Sequence, residues 1–415
     1  MLRPALARGN LPALLLAVSL FPACADVSPR EAEQASTAAV RTSAYRFELK
    51  ARSTENPFSG AGAYQLPDGA FIKNQTPSIN DQGDLVLDFR AFDNLQHVWK
   101  NGRIIHDVPD SKAVIAETSI NAAGDVAFDV MGGESNNGVF VHRAATGQTS
   151  FFSAEPLGAE SWINVALLDD GRVGCRPGVG GSRALGIVHP DGFTRLAIES
   201  SLHPSSPYEY IFSPRFDRRG NAAVKVMLAS GGEQIRLFAP GGGSTLLAED
   251  KAANETSQFS KLDNGLALNG AGQVAFVAKV GAKRAVFRTN GAVTTRIAIE
   301  GEGGIGTIAY FNPVLNDAGT VVFKGEDGER RNTIWVGDGD RLERLATAGD
   351  SLPSDRGTAL ALPETGADPN NRVVFGGGLA INARGEIVFS AALAQVTEGG
   401  STRLGTGVYV AVPTR

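Results

Sequence analysis

The sequence predicts an all-β protein whose tandem four-stranded repeats form a seven-bladed β-propeller, closed by an N-terminal strand. Three observations predict this fold. A turn motif recurs seven times, a second strand-and-turn phrase follows each copy, and a spare strand precedes the first copy. The composition agrees, because 50 Gly and 20 Pro in 415 residues suit many short strands joined by tight turns.

The recurring motif is an Asn-x-x-Gly turn between two apolar strands, as in SINDQGDLVLDF at 78–89 and VLNDAGTVVFKG at 314–325. The first side chain is expected to cap a type I turn, and the glycine is expected to adopt the left-handed conformation. The glycines recur every 41 to 66 residues, near the period of a four-stranded propeller blade. The predicted structural turn residues are Asn80, Gly83, Asn121, Gly124, Gly171, Asp217, Gly220, Asn269, Gly272, Asn316, Gly319, Asn382 and Gly385.

A second phrase follows each hairpin, in which a bulky aromatic residue in a β-branched strand precedes a tight turn. Examples are HVWKNGR at 97–103 and AVFRTNG at 285–291. With the strands on either side, this makes four strands per repeat. The last repeat ends with GVYVAV at 407–412, which leaves no room for a fourth strand. The spare strand YRFELKARS at 45–53, ahead of an innermost strand expected near AFIK at 70–73, is therefore predicted to pair into the last blade and close the ring.

The repeat pattern resembles the choice-of-anchor tandem repeat family, which is named for its NxxGxxxF motif. The resemblance runs from about residue 45 to the C-terminus. The third repeat departs from the motif with Leu168 and Cys175, and the fourth with Asp217 and Val224. The resemblance implies an exported protein attached by one of several kinds of anchor, and it implies no established catalytic residues.

Residues 1–25 are predicted to be an export signal. Arg3 and Arg8 supply a positive start, and the apolar run at 11–21 is much shorter than the ~20 residues of a membrane-spanning helix. The mature chain is therefore expected to span no membrane.

Two ways of processing this signal remain open. Cleavage after Ala25 would release the protein to the periplasm or the medium, whereas acylation of Cys24 would make it an outer-membrane or cell-surface lipoprotein. Residues 26–44 are small and polar, as a flexible tether would be, and 45–415 are predicted to be the seven-repeat propeller domain. Membrane contact is expected only through a possible lipid at Cys24.

Other patterns argue against common partners and cofactors. The net charge of −5 without a basic stripe disfavours nucleic acid. GEGGIG at 301–306 precedes β-patterned sequence with Pro313, whereas a dinucleotide fingerprint needs a helix there. No cofactor, metal site or catalytic group is predicted, because no nucleophile has a plausible base and the histidines lack zinc-ligand spacing. The histidines are His97, His106, His142, His189 and His203.

The sequence therefore predicts an exported, non-catalytic binding or interaction propeller, monomeric, whose partner is an unknown protein or glycan. The alternative is an extracellular glycan-acting hydrolase or lyase with its site at the propeller channel. Variable loops at 200–209, 350–371 and 393–406, on the rim opposite the Asn-x-x-Gly turns, are the expected binding surface, unless they are passive insertions. The candidate contacts are His203, Tyr208, Tyr210, Asp368 and Asn370.

Overall fold

The computed structural model describes residues 40–41, 44–54, 62–72, 76–132, 137–153, 158–362, 373–397 and 400–414. These residues form strands and turns, and no helix among them could span a membrane. Cys24, Asp368, Asn370, the export signal and nearly all of the predicted tether lie outside the described residues.

Seven antiparallel sheets form a seven-bladed β-propeller, which confirms the predicted fold class. The two N-terminal strands, β1 (Val40–Arg41) and β2 (Tyr45–Arg52), join the outer edges of blades 6 and 7. Blade 1 consists of β3 (Ser78–Ile79), β4 (Leu85–Arg90), β5 (Gln96–Lys100) and β6 (Arg103–Val108). Blade 2 consists of β7 (Thr118–Ile120), β8 (Val126–Val130), β9 (Gly138–Arg143) and β10 (Gln148–Ser153). Blade 3 consists of β11 (Ser161–Leu167), β12 (Val173–Val179), β13 (Ser182–His189) and β14 (Gly192–Ile198).

Blades 4 to 7 follow the same order, with additional short strands in three of them. The strands of blades 4 and 5 are β15 (Tyr208–Ile211), β16 (Arg215–Phe216), β17 (Ala222–Leu228), β18 (Glu233–Phe238), β19 (Ser244–Glu249); and β20 (Lys261–Leu268), β21 (Val274–Val280), β22 (Lys283–Thr289), β23 (Thr294–Ile299). Those of blades 6 and 7 are β24 (Ile305–Ile308), β25 (Val314–Leu315), β26 (Val321–Asp327), β27 (Asn332–Gly337), β28 (Leu342–Thr347); and β29 (Ser351–Ser354), β30 (Gly357–Ala361), β31 (Ala380–Ile381), β32 (Ile387–Thr397), β33 (Gly400–Pro413).

The predicted ring closure is confirmed. Strand β2 pairs antiparallel with β33, with Tyr45 opposite Pro413 and Arg52 opposite Gly407, and so becomes the outer strand of blade 7. The innermost paired strand of blade 1 is β3 rather than the AFIK segment, of which Phe71 makes a single antiparallel bridge to Arg90. The ring is therefore closed by strand pairing between the two ends of the domain.

Two of the three predicted loops differ from expectation. From 350 the chain forms the hairpin β29–β30, which pairs with β32 through Leu360 opposite Ala394. Leu352 and Ala359 are partners across this hairpin and are both buried in the blade 7 core, so the segment packs as part of the sheet. Residues 393–397 and 400–406 are also strand, because β32 and β33 pair along their whole described length.

The blades are held together by apolar contacts between neighbouring sheets. One cluster combines Val86 and Val98 of blade 1 with Val126 and Phe128 of blade 2, and similar clusters follow around the ring. Cys175 is fully buried in such a cluster, as predicted for a small apolar side chain. The core is thus distributed between blades, and the axis is left to the inner strands.

Candidate functional site

The first residue of each Asn-x-x-Gly motif joins its blade to the next one. Asn80 Oδ1 accepts the backbone N–H groups of Gln82 and Asp84, at 3.1 and 2.9 Å, and Gly83 has a φ of 88°, so the predicted turn cap is confirmed. Nδ2 of Asn80 donates to the carbonyl oxygen of Asn121, at 3.1 Å. The same link runs from Asn121 to Leu168, Asn269 to Asn316, Asn316 to Asn382 and Asn382 to Asn80.

The ring of side-chain links is interrupted where the repeat departs from its consensus. The side chains of Leu168 and Asp217 carry no N–H group, so neither can donate this hydrogen bond to the next blade. Between blades 3 and 4 the backbone N–H of Asp169 instead donates to the Arg218 carbonyl oxygen, at 3.1 Å, and between blades 4 and 5 the Arg219 guanidinium donates to the Gly270 carbonyl oxygen. We call the end of the channel formed by these turns the turn rim and the opposite end the mouth.

An ion pair spans the channel at the turn rim. The guanidinium of Arg218 in blade 4 lies 2.6 Å from Asp81 Oδ2 in blade 1. Burial opposes ionisation of Asp81, but the N–H of Ala383 and the Arg218 charge hold its pKa below the ordinary range.

The inner strands are irregular on the mouth side of the turns. In blades 3 and 5 a bulge interrupts the pairing of β11 and β20, and in blades 4 and 6 the inner edge is split into two short strands. Asn164, inside the blade 3 bulge, has a φ of 59°, a left-handed conformation uncommon outside glycine. Bulges of this kind often redirect side chains at functional sites.

The irregular inner segments enclose a cavity of about 420 Å³, which we call the channel pocket. All seven blades contribute to it, and each does so with residues just before its turn motif. The described lining segments are 76–79, 117–119, 164–166, 214–216, 267–268, 310–315 and 377–381. The pocket therefore lies on the axis, between the turn rim and the mouth.

One wall of the channel pocket is polar. Asn164 Nδ2 donates to Glu117 Oε1 at 3.2 Å, and the Arg215 guanidinium lies 3.8 Å from the same oxygen. Behind them Asp129 Oδ1 accepts the N–H groups of Ala116 and Glu117, at 3.1 and 2.9 Å. Burial raises the pKa of Asp129 to about 8. Asp129 therefore positions the backbone that carries Glu117.

The opposite wall is aromatic. Tyr310 is 81% exposed and Phe311 is 41% exposed, and both line the channel pocket. The Arg284 guanidinium lies 3.7 Å from the centre of the Tyr310 ring, and Lys324 Nζ lies 4.7 Å from that of Phe311. These cation–π contacts place the rings without covering them.

The cationic side chains of Arg284 and Lys324 belong to a second feature that recurs from blade to blade. Eight residues after the first motif residue, the second strand carries a buried polar or charged side chain in six of the seven blades. The series is Asp88, Asp129, Arg176, Lys225, Val277, Lys324 and Ser390, and in blade 5 Arg284 of the third strand supplies the cation.

Each of these cations holds the inner segment of the following blade. Arg176 donates to the Ile211 carbonyl oxygen at 2.8 Å, and Lys225 donates to that of Leu262 at 3.1 Å. The Arg284 guanidinium donates to the carbonyl oxygen of Ile308. Lys324 Nζ donates to three successive carbonyl oxygens at 375–377, although burial lowers its pKa to about 7. The backbone of the mouth is thus held by buried charges.

The described contacts predicted from sequence lie outside the channel pocket. His203 is exposed in the connection between blades 3 and 4, with Nδ1 2.8 Å from Ser205 Oγ. The Tyr208 ring packs edge-on against Phe238, 5.7 Å between centres. The Tyr210 ring lies under the Arg183 guanidinium, 4.1 Å away. These three residues are neighbours on the mouth side of blade 4.

The residues that line the channel pocket were not predicted from the sequence, because the binding surface was expected in the long loops between strands and blades. The signal was present in short segments directly before each turn motif, such as AYFNP at 309–313 and SPRF at 213–216. Aromatic or charged residues stand there in blades 2, 4 and 6 only, so the repeat pattern alone did not mark them as a site.

The other sequence motifs take ordinary structural places. The GEGGIG segment at 301–306 connects β23 to β24 and leads into a strand, as predicted. Among the described residues, no group of three or more His, Cys, Asp and Glu side chains could hold a metal ion.

Comparisons with known proteins concern the family and the fold. The chain is similar to virginiamycin B lyase from Staphylococcus aureus, with 12% identity over 88% of this chain and 99% of that chain and a TM-score of 0.47. It is also similar to YCF48 from Cyanidioschyzon merolae, with 11% identity over 89% and 99% and a TM-score of 0.44. Likeness at this level carries no argument about the channel pocket.

Sequence comparisons identify the family. No curated protein sequence matches the chain. Residues 192–411, which are more than half of the chain, match a family of unknown function, DUF7453. The chain belongs to this family.

Proposed function

We propose that the protein is an exported, non-catalytic binding propeller that takes its ligand in the channel pocket. The observation that carries this proposal is the pocket itself, about 420 Å³ on the propeller axis with contributions from every blade. Its volume lies within the ~300–1,000 Å³ of small-ligand sites. Exposed Tyr310 on one wall and the Glu117 cluster on the other combine apolar contact with oriented hydrogen bonds, as ligand sites do.

The polar groups of the pocket favour binding over hydrolysis. Glycoside hydrolysis needs two carboxyl groups on either side of the scissile bond. Glu117 is the one carboxylate among the described lining residues, and it is engaged by Asn164 and Arg215. Asp129 is fully buried behind it, where its carboxyl group accepts backbone N–H groups. This arrangement supports orientation of a ligand rather than proton transfer to it.

The path of the chain into the domain agrees with attachment from the turn rim. Ala44 accepts a hydrogen bond from the backbone N–H of Thr414, at 2.7 Å, and Tyr45 pairs with Pro413. Pro413 in turn lies beside Gly385 of the blade 7 turn motif. If Cys24 is acylated, as in the choice-of-anchor family that the repeats resemble, the segment that follows it would join the domain at Ala44, beside the turn rim.

Attachment is tested by metabolic labelling with a fatty-acid probe. We expect the wild type to be labelled and to partition into detergent, and Cys24→Ser to lose both properties. A soluble wild-type protein that begins at residue 26 would show ordinary signal cleavage and exclude the lipid anchor.

The binding role is tested by filling the pocket. Ala166 lines the pocket, whereas Ala145 is exposed in the turn between β9 and β10. We would screen the mature protein with soluble oligosaccharides and peptides by ligand-observed NMR and measure each ligand's affinity calorimetrically. Ala166→Trp should abolish binding, Ala145→Trp should leave the affinity unchanged, and the ligand should be recovered intact. Equal affinity in both variants would move the site elsewhere, and enzymatic turnover would establish catalysis.

A further inference from the structure

We propose that the channel pocket binds a neutral sugar, with one face of the ring stacked on Tyr310 and its hydroxyl groups bound by Asn164, Glu117 and Arg215. This inference rests on the proposed function and names the chemical class of the ligand.

The polar wall contains a hydrogen-bond acceptor without a partner among the described residues. Asn164 is only 9% exposed and lines the pocket, and its Oδ1 has no hydrogen-bond partner among the described residues. Its Nδ2 donates a hydrogen bond to Glu117 Oε1, which fixes the orientation of the amide group. A buried acceptor without a partner destabilises a protein by about 1–3 kcal/mol. This oxygen is also closed to solvent in the structure, so a ligand donor that displaced the packing over it would remove that cost.

The backbone at Asn164 supports the same assignment. Its left-handed φ of 59° lies in the bulge that separates Ile163 from Ala166 in the pairing of β11. Conformations of this kind are uncommon for residues other than glycine and concentrate at ligand sites, where surrounding structure maintains them. Here the bulge places a buried amide in the wall of the pocket.

The neighbouring groups match hydroxyl chemistry. Both contacts described for the Glu117 carboxylate fall on Oε1, so Oε2 can accept a hydrogen bond from a hydroxyl group of a ligand. Arg215, 3.8 Å from Oε1, offers guanidinium N–H donors. A hydroxyl group donates one hydrogen bond and accepts others. Adjacent hydroxyl groups can therefore use an acceptor–acceptor–donor wall that an apolar ligand could not.

Tyr310 provides the opposite surface. Its ring is 81% exposed, yet Arg284 lies 3.7 Å from its centre. Arg284 is itself held by the Asp263 carboxylate and the Ile308 carbonyl oxygen. A ring that is already positioned loses little conformational entropy when a ligand stacks on it. The C–H face of a sugar ring suits such a surface, because aromatic side chains combine apolar area with a polar edge.

Charge selects a neutral ligand. A cation stacked on Tyr310 would face the guanidinium of Arg284 through the ring, and like charges at such distances are unfavourable. On the polar wall Glu117 and Arg215 lie 3.8 Å apart and offset each other's charge, so this wall favours neither an anion nor a cation. A neutral polyhydroxyl ligand fits both walls, and the pocket volume of about 420 Å³ suits a mono- or disaccharide.

The test uses the mature protein and a defined panel of neutral disaccharides: maltose, cellobiose, lactose and N,N′-diacetylchitobiose, with glucuronate and glucosamine as charged probes. Saturation-transfer NMR and calorimetry measure binding. We expect at least one neutral disaccharide to bind with a Kd of about 1 mM or below, and both charged probes to bind more weakly.

Two pairs of variants test the residues. Tyr310→Ala should weaken binding about tenfold, whereas Tyr310→Phe should retain it, since the ring supplies the contact. Asn164→Gly should also weaken binding about tenfold without loss of folding, because glycine accepts a left-handed φ. The matched controls outside the pocket are Phe92→Ala, an exposed aromatic residue, and Asn94→Gly, at a φ of 65°; both should bind as the wild type does.

The outcomes separate this inference from the proposed function. Absence of binding by every neutral disaccharide, or wild-type affinity in Tyr310→Ala and Asn164→Gly, would overturn the sugar assignment. If the sugar assignment fails but a ligand of another class binds the wild type and not Ala166→Trp, the proposal that the channel pocket binds a ligand would still hold. If a disaccharide bound through these residues and was cleaved, the sugar assignment would stand and the non-catalytic role would fail.

Discussion

Asn382 Nδ2 donates a hydrogen bond to the backbone carbonyl oxygen of Asn80, at 3.0 Å and across 302 residues of sequence. The bond joins the turn of the last blade to the turn of the first. The amide oxygen of Asn382 meanwhile accepts the N–H groups of Arg384 and Glu386 within its own turn. One side chain thus completes a local turn and links two blades, which explains a preference for Asn over Asp at this position.

The double role of the motif asparagine predicts the effect of a change to aspartate. Asn80→Asp keeps the oxygen that caps the turn but removes the donor to the Asn121 carbonyl oxygen. We expect the free energy of unfolding to fall by about 1–3 kcal/mol, because the buried hydrogen bond between the blades is lost and the Asn121 carbonyl oxygen, which keeps the N–H of Gly124, then faces a carboxylate. Urea-induced unfolding measures this loss.

A turn without an interblade bond provides the control. Asn290 Oδ1 caps an exposed turn through Ala292 and Val293, so Asn290→Asp should change stability by less than about 0.5 kcal/mol. Equal losses in the two variants would show that the capping oxygen, and not the donor, matters.

Ring closure by β2 predicts a sharp limit to N-terminal truncation. Removal of residues 1–43 retains β2 and deletes only the two-residue strand β1 at the edge of blade 6, so it should change the melting temperature of the domain little. Removal of residues 1–53 deletes β2, exposes the edge of β33 and removes the contact of Phe47 with Phe389, 5.7 Å between ring centres. We expect the shorter protein to lose cooperative unfolding or to self-associate through the open edge, as measured by calorimetry and size-exclusion chromatography. Identical melting and elution of the two proteins would contradict closure by this strand.

Asp129 predicts a pH dependence of stability. Its pKa in the folded protein is raised from 3.8 to about 8 by burial, so the folded state binds a proton that the unfolded state lacks between these values. The stabilisation is complete below the unfolded pKa and is lost as pH rises towards about 8. Asp129→Asn should therefore make the free energy of unfolding less dependent on pH in this window.

Unfolding experiments at about pH 5 and about pH 8 measure the slope. The control is Asp170→Asn, since the hydrogen bond from Arg172 lowers the pKa of this exposed carboxyl group and places its titration below the window. A wild-type slope that survives in Asp129→Asn would assign the pH dependence to other groups.

Lys324 predicts a local effect on the mouth. Lys324→Met leaves the carbonyl oxygens at 375–377 without their donor. We expect faster amide hydrogen exchange in 374–381 and a loss of stability of about 1–3 kcal/mol. The exposed Lys251 supplies the control, and Lys251→Met should exchange as the wild type does. If amide hydrogen exchange in 374–381 is the same in Lys324→Met and the wild type, contacts within blade 7 alone would maintain the conformation of this segment.

The blade count and the closing strand follow from sequence because their signals are local and repeated. An asparagine and a glycine three residues apart specify a turn wherever they occur between apolar strands. A missing fourth strand at the C-terminus and a spare strand at 45–53 then leave one simple way to close the ring. The prediction of a loop at 393–406 was wrong. Charged residues and glycines interrupt the alternation of apolar and polar residues there, although β32 and β33 pair as a hairpin.

The channel pocket depends on contacts between blades, which no local pattern encodes. Glu117, Asn164, Arg215 and Tyr310 belong to four blades and meet only because the ring closes around one axis. The polar or charged residues eight positions after the first motif residue are visible in the sequence of six repeats, but their partners are not, since Lys324 reaches the backbone of the following blade. Turn chemistry and strand period therefore determined the propeller from the sequence, whereas the packing of neighbouring blades decided which side chains form a site.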